Sequence, residues 1–145
     1  MTKLTLVAAF AVLAPLTAFA QGAPGEHFIT NWDLDEDGFV TLAEAVERRE
    51  MVFDMFDNDQ NGTLDTVEYG YFDETRAADM ENNGGGHGRG GQRLQEGLTL
   101  AFNDTDADGV VSKEEFLAQT GDWIAMVDRN GDGVVNTADF GPQGN

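Results

Sequence analysis

Apolar residues recur at helical spacing between residues 42 and 56, where Val46, Val52, Phe53 and Phe56 share one side of a helix. This spacing predicts a single helix over residues 42–56, roughly 22 Å long at ~1.5 Å per residue. Residues 45–56 contain neither glycine nor proline, so nothing there predicts a turn. We interpret the apolar face as helix core rather than as a cofactor site.

The same pattern returns 71 residues later, so the chain contains an internal repeat. Leu117, Trp123, Ile124 and Val127 occupy the positions of the first apolar face and predict a second helix, over residues 116–127. Gly121 lies inside this segment. It is expected to kink the helix or to weaken it by about 1 kcal/mol relative to alanine.

Between the repeats lies the stretch NNGGGHGRGG, residues 82–91, whose composition predicts a flexible linker. Helices are expected on either side of it, near residues 69–81 and 92–102. His87 lies inside the linker and His27 precedes the first repeat. Neither has a second histidine or a cysteine close by in the sequence, so both are interpreted as ordinary residues rather than transition-metal ligands.

Acidic residues alternate along DLDEDGFVTLAE, residues 33–44, which leads into the first predicted helix. Asp33, Asp35 and Asp37 stand at every second position, and Glu44 falls in the first helical turn. Carboxylates this close repel one another unless a hard cation with six to eight oxygen ligands holds them together. The stretch matches the calcium-loop pattern D-x-[DN]-x-[DN]-G-x5-E.

Three further segments repeat this pattern, at residues 57–68, 104–115 and 128–139, although Asp139 replaces the final glutamate in the last. We number the four segments loop 1 to loop 4 in chain order. A single match could be a solvated acidic turn, but four in register strongly favour metal loops. Every loop has glycine at position six. The residues at position eight are Val40, Leu64, Val111 and Val135.

These loops resemble those of the EF-hand family over nearly all of residues 25–141. The resemblance implies side-chain oxygens from positions one, three and five, a backbone carbonyl from position seven, a side chain or water at position nine, and a closing carboxylate at position twelve. The implied metal-site residues are Asp33, Asp35, Asp37, Phe39, Thr41, Glu44, Asp57, Asp59, Asn61, Thr63, Asp65, Glu68, Asp104, Asp106, Asp108, Val110, Ser112, Glu115, Asp128, Asn130, Asp132, Val134, Asn136 and Asp139.

Twelve residues separate loop 1 from loop 2, and twelve separate loop 3 from loop 4. This short spacing resembles that of lanmodulin, the bacterial periplasmic lanthanide-binding EF-hand protein. That family carries proline at position two, where this chain has Leu34, Asn58, Thr105 and Arg129, and it has a short middle connector. Its position nine is acidic, whereas only Asp65 is acidic here. The loop chemistry therefore resembles that of calmodulin-type calcium loops.

A single connecting helix holds two loops at its opposite ends, so loop 1 cannot reach loop 2, and loop 3 cannot reach loop 4. We therefore predict an all-α EF-hand fold of two loop–helix–loop modules, residues 21–82 and 92–145, joined by the glycine-rich linker at 83–91. Loop 2 would pair with loop 3, and loop 1 with loop 4, through their position-eight residues. The alternative pairs loop 1 with loop 2 and requires both connectors to break.

Residues 1–20 are expected to form a cleaved signal peptide, since Lys3, an apolar run over residues 4–14 and the small-x-small site at 18–20 occur in that order. A membrane anchor is the alternative, but the run is short and Pro15 interrupts it. The predicted location is the periplasm or the outside of the cell. The chain has no cysteine, which excludes disulfides and a lipid-modified cysteine.

The formal net charge of −19 becomes −20 once Lys3 is removed with the signal peptide. Such a charge argues against nucleic acid or an anionic membrane as partner. Fifteen of the 27 acidic residues lie at implied ligand positions. Four divalent ions would reduce the charge to −12, so folding and metal binding are expected to be coupled.

These features predict a calcium sensor or buffer that binds up to four Ca²⁺ ions and is not an enzyme, because no nucleophile stands beside a base. Lanthanide ions are possible ligands, and selective lanthanide binding is the alternative function. A sensor would expose an apolar groove to a target protein. Its expected lining is Met51, Phe53, Met55, Phe56, Trp123 and Met126.

Overall fold

The computed structural model describes residues 22–83 and 88–141, and their secondary structure is mostly helical, consistent with the predicted all-α EF-hand class. The predicted signal peptide lies outside the described residues. The helices are α1 (Glu26–Trp32), α2 (Leu42–Phe56), α3 (Thr66–Asn83), α4 (Gly88–Glu96), α5 (Leu100–Asn103), α6 (Lys113–Ala118), α7 (Thr120–Val127) and a 3₁₀ helix (Thr137–Asp139). Two short strands are β1 (Thr63–Leu64) and β2 (Val111–Ser112). No helix within the described part of the chain has both the length and the apolar character needed to cross a membrane.

Helix α2 has the predicted bounds, and a capping box starts it. The Thr41 side chain accepts a hydrogen bond from the Glu44 amide, and the Glu44 carboxylate accepts one from the Thr41 amide. Such reciprocal caps satisfy amides that have no partner inside the helix. Positions nine and twelve of loop 1 therefore also begin the helix that joins loop 1 to loop 2.

The second connector differs from the prediction, since it is interrupted at Gln119 rather than at Gly121 and forms α6 and α7. Thr120 is fully buried, and its hydroxyl donates to the Leu117 carbonyl over 2.7 Å. The Phe116 carbonyl accepts from Arg49. Side chains thus bind two carbonyls that a continuous helix would leave to its own amides, which explains where the break falls.

The linker prediction is wrong at its C-terminal end, because Gly88–Gly91 belong to α4. Residues 84–87, which include His87, lie outside the described part of the chain. Gly90 and Gly91 are buried. A Cβ atom on Gly90 would lie 2.8 Å from the Phe140 ring and 3.2 Å from its Cα. Glycine is needed here for close packing rather than for flexibility.

The helix predicted near residues 92–102 is likewise divided, into α4 and α5, with Gly97 between them. A Cβ atom on Gly97 would lie 1.9 Å from Cδ1 of Trp123, so only glycine lets the chain pass this close to the buried indole. The indole nitrogen donates to the Leu94 carbonyl over 3.1 Å. This contact fixes α4 against α7.

The four position-eight residues form two backbone contacts. Leu64 pairs with Val111 in the antiparallel β1–β2 ladder, and Val40 forms an isolated antiparallel bridge with Val135. The lengths of the connectors predict the same two residue pairs. All four side chains are buried. Segments 33–44 and 128–139 therefore meet in one place, segments 57–68 and 104–115 meet in another, and α2 runs from the first meeting point to the second.

Candidate metal centres

The four loops share one backbone geometry. The amide of the position-six glycine donates to a carboxylate oxygen of the position-one aspartate over 2.7–3.0 Å in every loop. All four glycines have φ between 81° and 92°, a left-handed conformation that favours glycine. The donor–acceptor pairs are Gly38–Asp33, Gly62–Asp57, Gly109–Asp104 and Gly133–Asp128.

The position-twelve carboxylate closes each loop. One of its oxygens accepts from the amides at positions two and three, and the other accepts from the amide at position nine. These distances run from 2.8 to 3.4 Å across the four loops. The acceptors are Glu44, Glu68, Glu115 and Asp139. The shorter Asp139 thus reaches the same three amides, and a 3₁₀ helix rather than an α-helix begins at position ten of its loop.

Within residues 22–83 and 88–141, three groups of carboxylates bring their oxygens within 4.8 Å of one another. They are Asp33–Asp35–Glu44 in loop 1, Asp57–Asp59–Glu68 in loop 2 and Asp104–Asp106–Asp108 in loop 3. Loop 4 does not form a fourth group. An all-oxygen, acidic donor set suits a hard cation such as Ca²⁺, so these residues fit the implied metal.

The titration behaviour of loop 3 reflects its hydrogen bonds. Hydrogen bonds from the Ser112 amide and the Thr105 hydroxyl lower the pKa of Glu115 to about 2. The pKa of Asp106 is raised. A hydrogen bond from the Asp108 amide lowers it, but partial desolvation and the neighbouring carboxylates of Asp108, Glu115 and Asp104 outweigh that bond. The closing carboxylate is therefore ionised at neutral pH, while the position-three carboxylate is repelled by its neighbours.

Loop 1 shows the same contrast. Burial alone would raise the pKa of Glu44, but hydrogen bonds from Thr41, Leu34 and Asp35 lower it. Asp35 is exposed, but partial desolvation of its carboxylate raises its pKa, and the charges of Asp37, Glu44 and Asp33 add to that rise against a hydrogen bond from the Asp37 amide. A bound cation would relieve this repulsion, because an opposite charge favours the ionised form of a carboxylate.

The predicted ligands at position nine of each loop make hydrogen bonds within the protein. Position-nine side chains lie where the helices begin inside the loops: the hydroxyls of Thr41 and Ser112 donate to their closing glutamates. Asp65 accepts from the amides of Val67 and Glu68, and Asn136 from that of Ala138. These side chains shape the exit from each loop. The resemblance implies only a backbone carbonyl from position seven, and the Phe39 side chain at this position of loop 1 is exposed.

Among the residues that the structure describes, three fully buried polar residues were not predicted from the sequence: Arg49, Asn103 and Thr120. One signal was available for Arg49. It lies four residues from both Ala45 and Phe53, on the buried face of α2, so the helical periodicity alone places it inside. Burial of Asn103 follows from its packing against α2 and α3, which the local sequence does not encode.

The predicted groove lining is wrong for Phe53 and Trp123, which are fully buried in the core, where Phe53 packs against Phe116 and Trp123 against Trp32 and Phe28. A groove of about 1020 Å³ instead lies between α1, α2, α3 and α4. Its apolar lining includes Val52, Met55, Phe56, Met80, Leu94 and Leu98. Met51 is exposed on α2, and Met126 packs against the core.

A family model described as EF hand matches residues 101–118, which comprise loop 3 with three residues on either side. No curated protein matches the chain. The family match and the three carboxylate groups together support an EF-hand family and indicate a calcium-binding protein.

Proposed function

We propose that this chain is a secreted or periplasmic calcium-binding protein, a sensor or buffer whose fold depends on the metal and whose loops hold up to four Ca²⁺ ions. The observation that carries the proposal is the set of three carboxylate groups on one repeated loop geometry. Metal binding is the whole of the proposed activity, and no catalytic role is assigned. The high negative charge favours cations over nucleic acid or anionic lipid as partners.

The pairing of the metal loops is part of the proposal. Loop 2 would act with loop 3 through Leu64 and Val111, and loop 1 with loop 4 through Val40 and Val135. Because α2 joins loop 1 to loop 2, an ion at one pair would influence the other through that helix. A calorimetric calcium titration tests the proposal, which predicts binding to several sites. Heats no larger than those of dilution would contradict it.

Sensor and buffer differ in what calcium does to apolar surface. A sensor would open the groove between α1, α2, α3 and α4 to a target protein, whereas a buffer would bind calcium and barely move. A calcium titration in the presence of a dye that fluoresces on apolar surfaces distinguishes a sensor from a buffer. A rise in fluorescence on calcium binding identifies a sensor.

Loop 4 is expected to be the weakest site, since it has three carboxylates against four in each other loop, and Asp139 is one methylene shorter than glutamate. Asp139→Glu should tighten the weakest class of calcium site by about tenfold, equivalent to 1.4 kcal/mol. Calorimetry measures the change. Asp122→Glu, which adds the same methylene at an exposed position on α7, should leave every affinity unchanged. An unaltered weakest class in Asp139→Glu would refute this ranking.

Trivalent lanthanides should also bind, because the loops are hard oxygen cages and a higher cation charge strengthens the Coulomb attraction. The twelve-residue connectors favour the lanmodulin-type alternative, but the missing position-two prolines and position-nine acids favour modest selectivity. We expect excess calcium to displace lanthanum in a competition titration. Lanthanum that stays bound in a large excess of calcium would instead support selective lanthanide binding.

A further inference from the structure

The guanidinium of Arg49 is a buried cation that makes no ion pair within the described part of the chain. Arg49 is 0% exposed. Its Nε and Nη2 donate to the Phe116 carbonyl over 3.0 and 2.7 Å, its Nη1 donates to the Gly97 carbonyl over 3.3 Å, and Nη2 also donates to Oδ1 of Asn103. The guanidinium lies 3.9 Å from the centre of the Phe116 ring.

Burying a charge is costly unless hydrogen bonds replace its water shell. Neutral oxygens and an aromatic face do so here, and burial lowers the pKa of Arg49 only to about 10, so the side chain is charged at neutral pH. The planar fork of arginine suits this task, since it directs several donors at fixed angles. The arrangement therefore depends on arginine in particular, rather than on any apolar or cationic side chain.

Two of the three acceptors, the Phe116 carbonyl and the Asn103 side chain, flank loop 3. Asn103 immediately precedes Asp104, the first residue of the loop, and Phe116 immediately follows Glu115, the last. Asn103 is itself held by the Tyr69 hydroxyl and the Thr99 carbonyl. Arg49 thus ties the entering and the leaving end of loop 3 to one point on α2.

The internal repeat shows that loop 1 has no such tie. With the offset of 71 residues, Thr120 takes the place of Arg49 and Trp32 takes the place of Asn103. The Thr120 hydroxyl bonds to Leu117 in its own connector, and the Trp32 ring packs against Trp123. The two modules therefore differ at the same pair of positions: Arg49 and Asn103 hydrogen-bond to each other across the modules, whereas the Thr120 hydroxyl bonds within its own connector and Trp32 offers an aromatic ring.

We propose that Arg49 is a positioning residue that sets the cation affinity of loop 3 separately from that of loops 1 and 4. Holding the two ends of a loop in place reduces the ordering that a bound ion must impose, so affinity rises. The inference rests on the proposed function, because it concerns the strength of calcium binding at one of the proposed sites.

The test is an NMR calcium titration of the chain and of its Arg49→Met variant in about 1 M sodium chloride, where screening of the carboxylates favours the folded metal-free chain. The amide of each position-six glycine bonds to the first carboxylate of its own loop, so Gly38, Gly62, Gly109 and Gly133 report the loops one by one. Arg49→Met should raise the calcium concentration at half-shift about tenfold for Gly109, and less than about threefold for Gly38 and Gly133. Loop 2 contacts loop 3 through β1 and β2, so Gly62 should respond to an intermediate degree.

Thr120→Val is the matched control, since it removes a hydrogen bond from an equally buried residue of the second connector and leaves the Arg49 side chain in place. This variant should not raise the calcium concentration at half-shift more for Gly109 than for Gly38 and Gly133. Arg49→Lys keeps the positive charge but loses the planar guanidinium. It should raise the calcium concentration at half-shift for Gly109 by a factor between those of the unmodified chain and Arg49→Met. This variant decides the matter if Arg49→Met does not fold in calcium. If Arg49→Met raises the calcium concentration at half-shift equally for Gly38, Gly109 and Gly133, Arg49 is a general stabiliser and the inference is overturned. Glycine amides whose signals do not change with calcium in the unmodified chain would instead refute the proposed function.

Discussion

Removing calcium with a chelator is expected to abolish most of the helical signal in far-UV circular dichroism, and adding calcium should restore it. The chain carries a net charge of −19, and carboxylate oxygens in three loops lie within 4.8 Å of one another. Without a cation these groups repel, and a compact body of this charge is destabilised. Each occupied site stabilises the fold by about 4 kcal/mol when calcium exceeds its Kd a thousandfold.

Salt provides the control for this experiment. If repulsion between carboxylates unfolds the metal-free chain, a high concentration of sodium chloride should restore part of the helical signal, since the Debye length falls to about 3 Å at 1 M. Calcium should restore more at a far lower concentration, because it binds in the loops. A helical signal that is the same with chelator and with calcium would contradict metal-dependent folding.

Trp123→Ala is expected to lower the free energy of unfolding of the calcium-loaded protein by about 3–5 kcal/mol, the usual cost of truncating a buried aromatic residue. The Trp123 indole is 0% exposed, and its nearest aromatic neighbour is Trp32, with ring centres 4.7 Å apart. Trp32 immediately precedes loop 1, so the cavity would also loosen the entry to that loop.

Urea unfolding in saturating calcium measures this loss. Met55→Ala is the control, because Met55 is 72% exposed and its truncation should change the free energy of unfolding by less than about 0.5 kcal/mol. Trp123→Phe should fall between the two, since it keeps an aromatic ring but not the hydrogen bond to the Leu94 carbonyl. A loss below about 1 kcal/mol for Trp123→Ala would show that the core does not depend on this residue.

Features that depend on the spacing of motifs along the chain were predictable from the sequence. The bounds of α2 followed from apolar spacing and from the loops on either side of it. The residue pairs Leu64–Val111 and Val40–Val135 followed from connector length, since one uninterrupted helix keeps its two loops apart. These inferences use only distances along the chain, which the sequence gives directly.

The sequence did not predict the features that depend on how separate segments of the chain pack against one another. Gly90 was predicted in the linker and Gly97 inside a helix, yet glycine is required at both positions by the close approach of Phe140 and Trp123. The break between α6 and α7 falls at Gln119 because the buried Thr120 hydroxyl and Arg49 take the carbonyls there. Local propensity assigned it to Gly121, since propensity carries no information about which side chain arrives from another helix.

The most direct test of metal binding in the loops is a crystal structure of the chain grown in calcium, with the ions located by anomalous scattering. We expect peaks in loops 1, 2 and 3, each surrounded by oxygens at about 2.3–2.6 Å, and a weaker peak in loop 4. The oxygens should include those of Asp33, Asp57 and Asp104 at position one. Loops that hold no ion in saturating calcium, or calcium bound only outside residues 33–44, 57–68, 104–115 and 128–139, would contradict the proposed function.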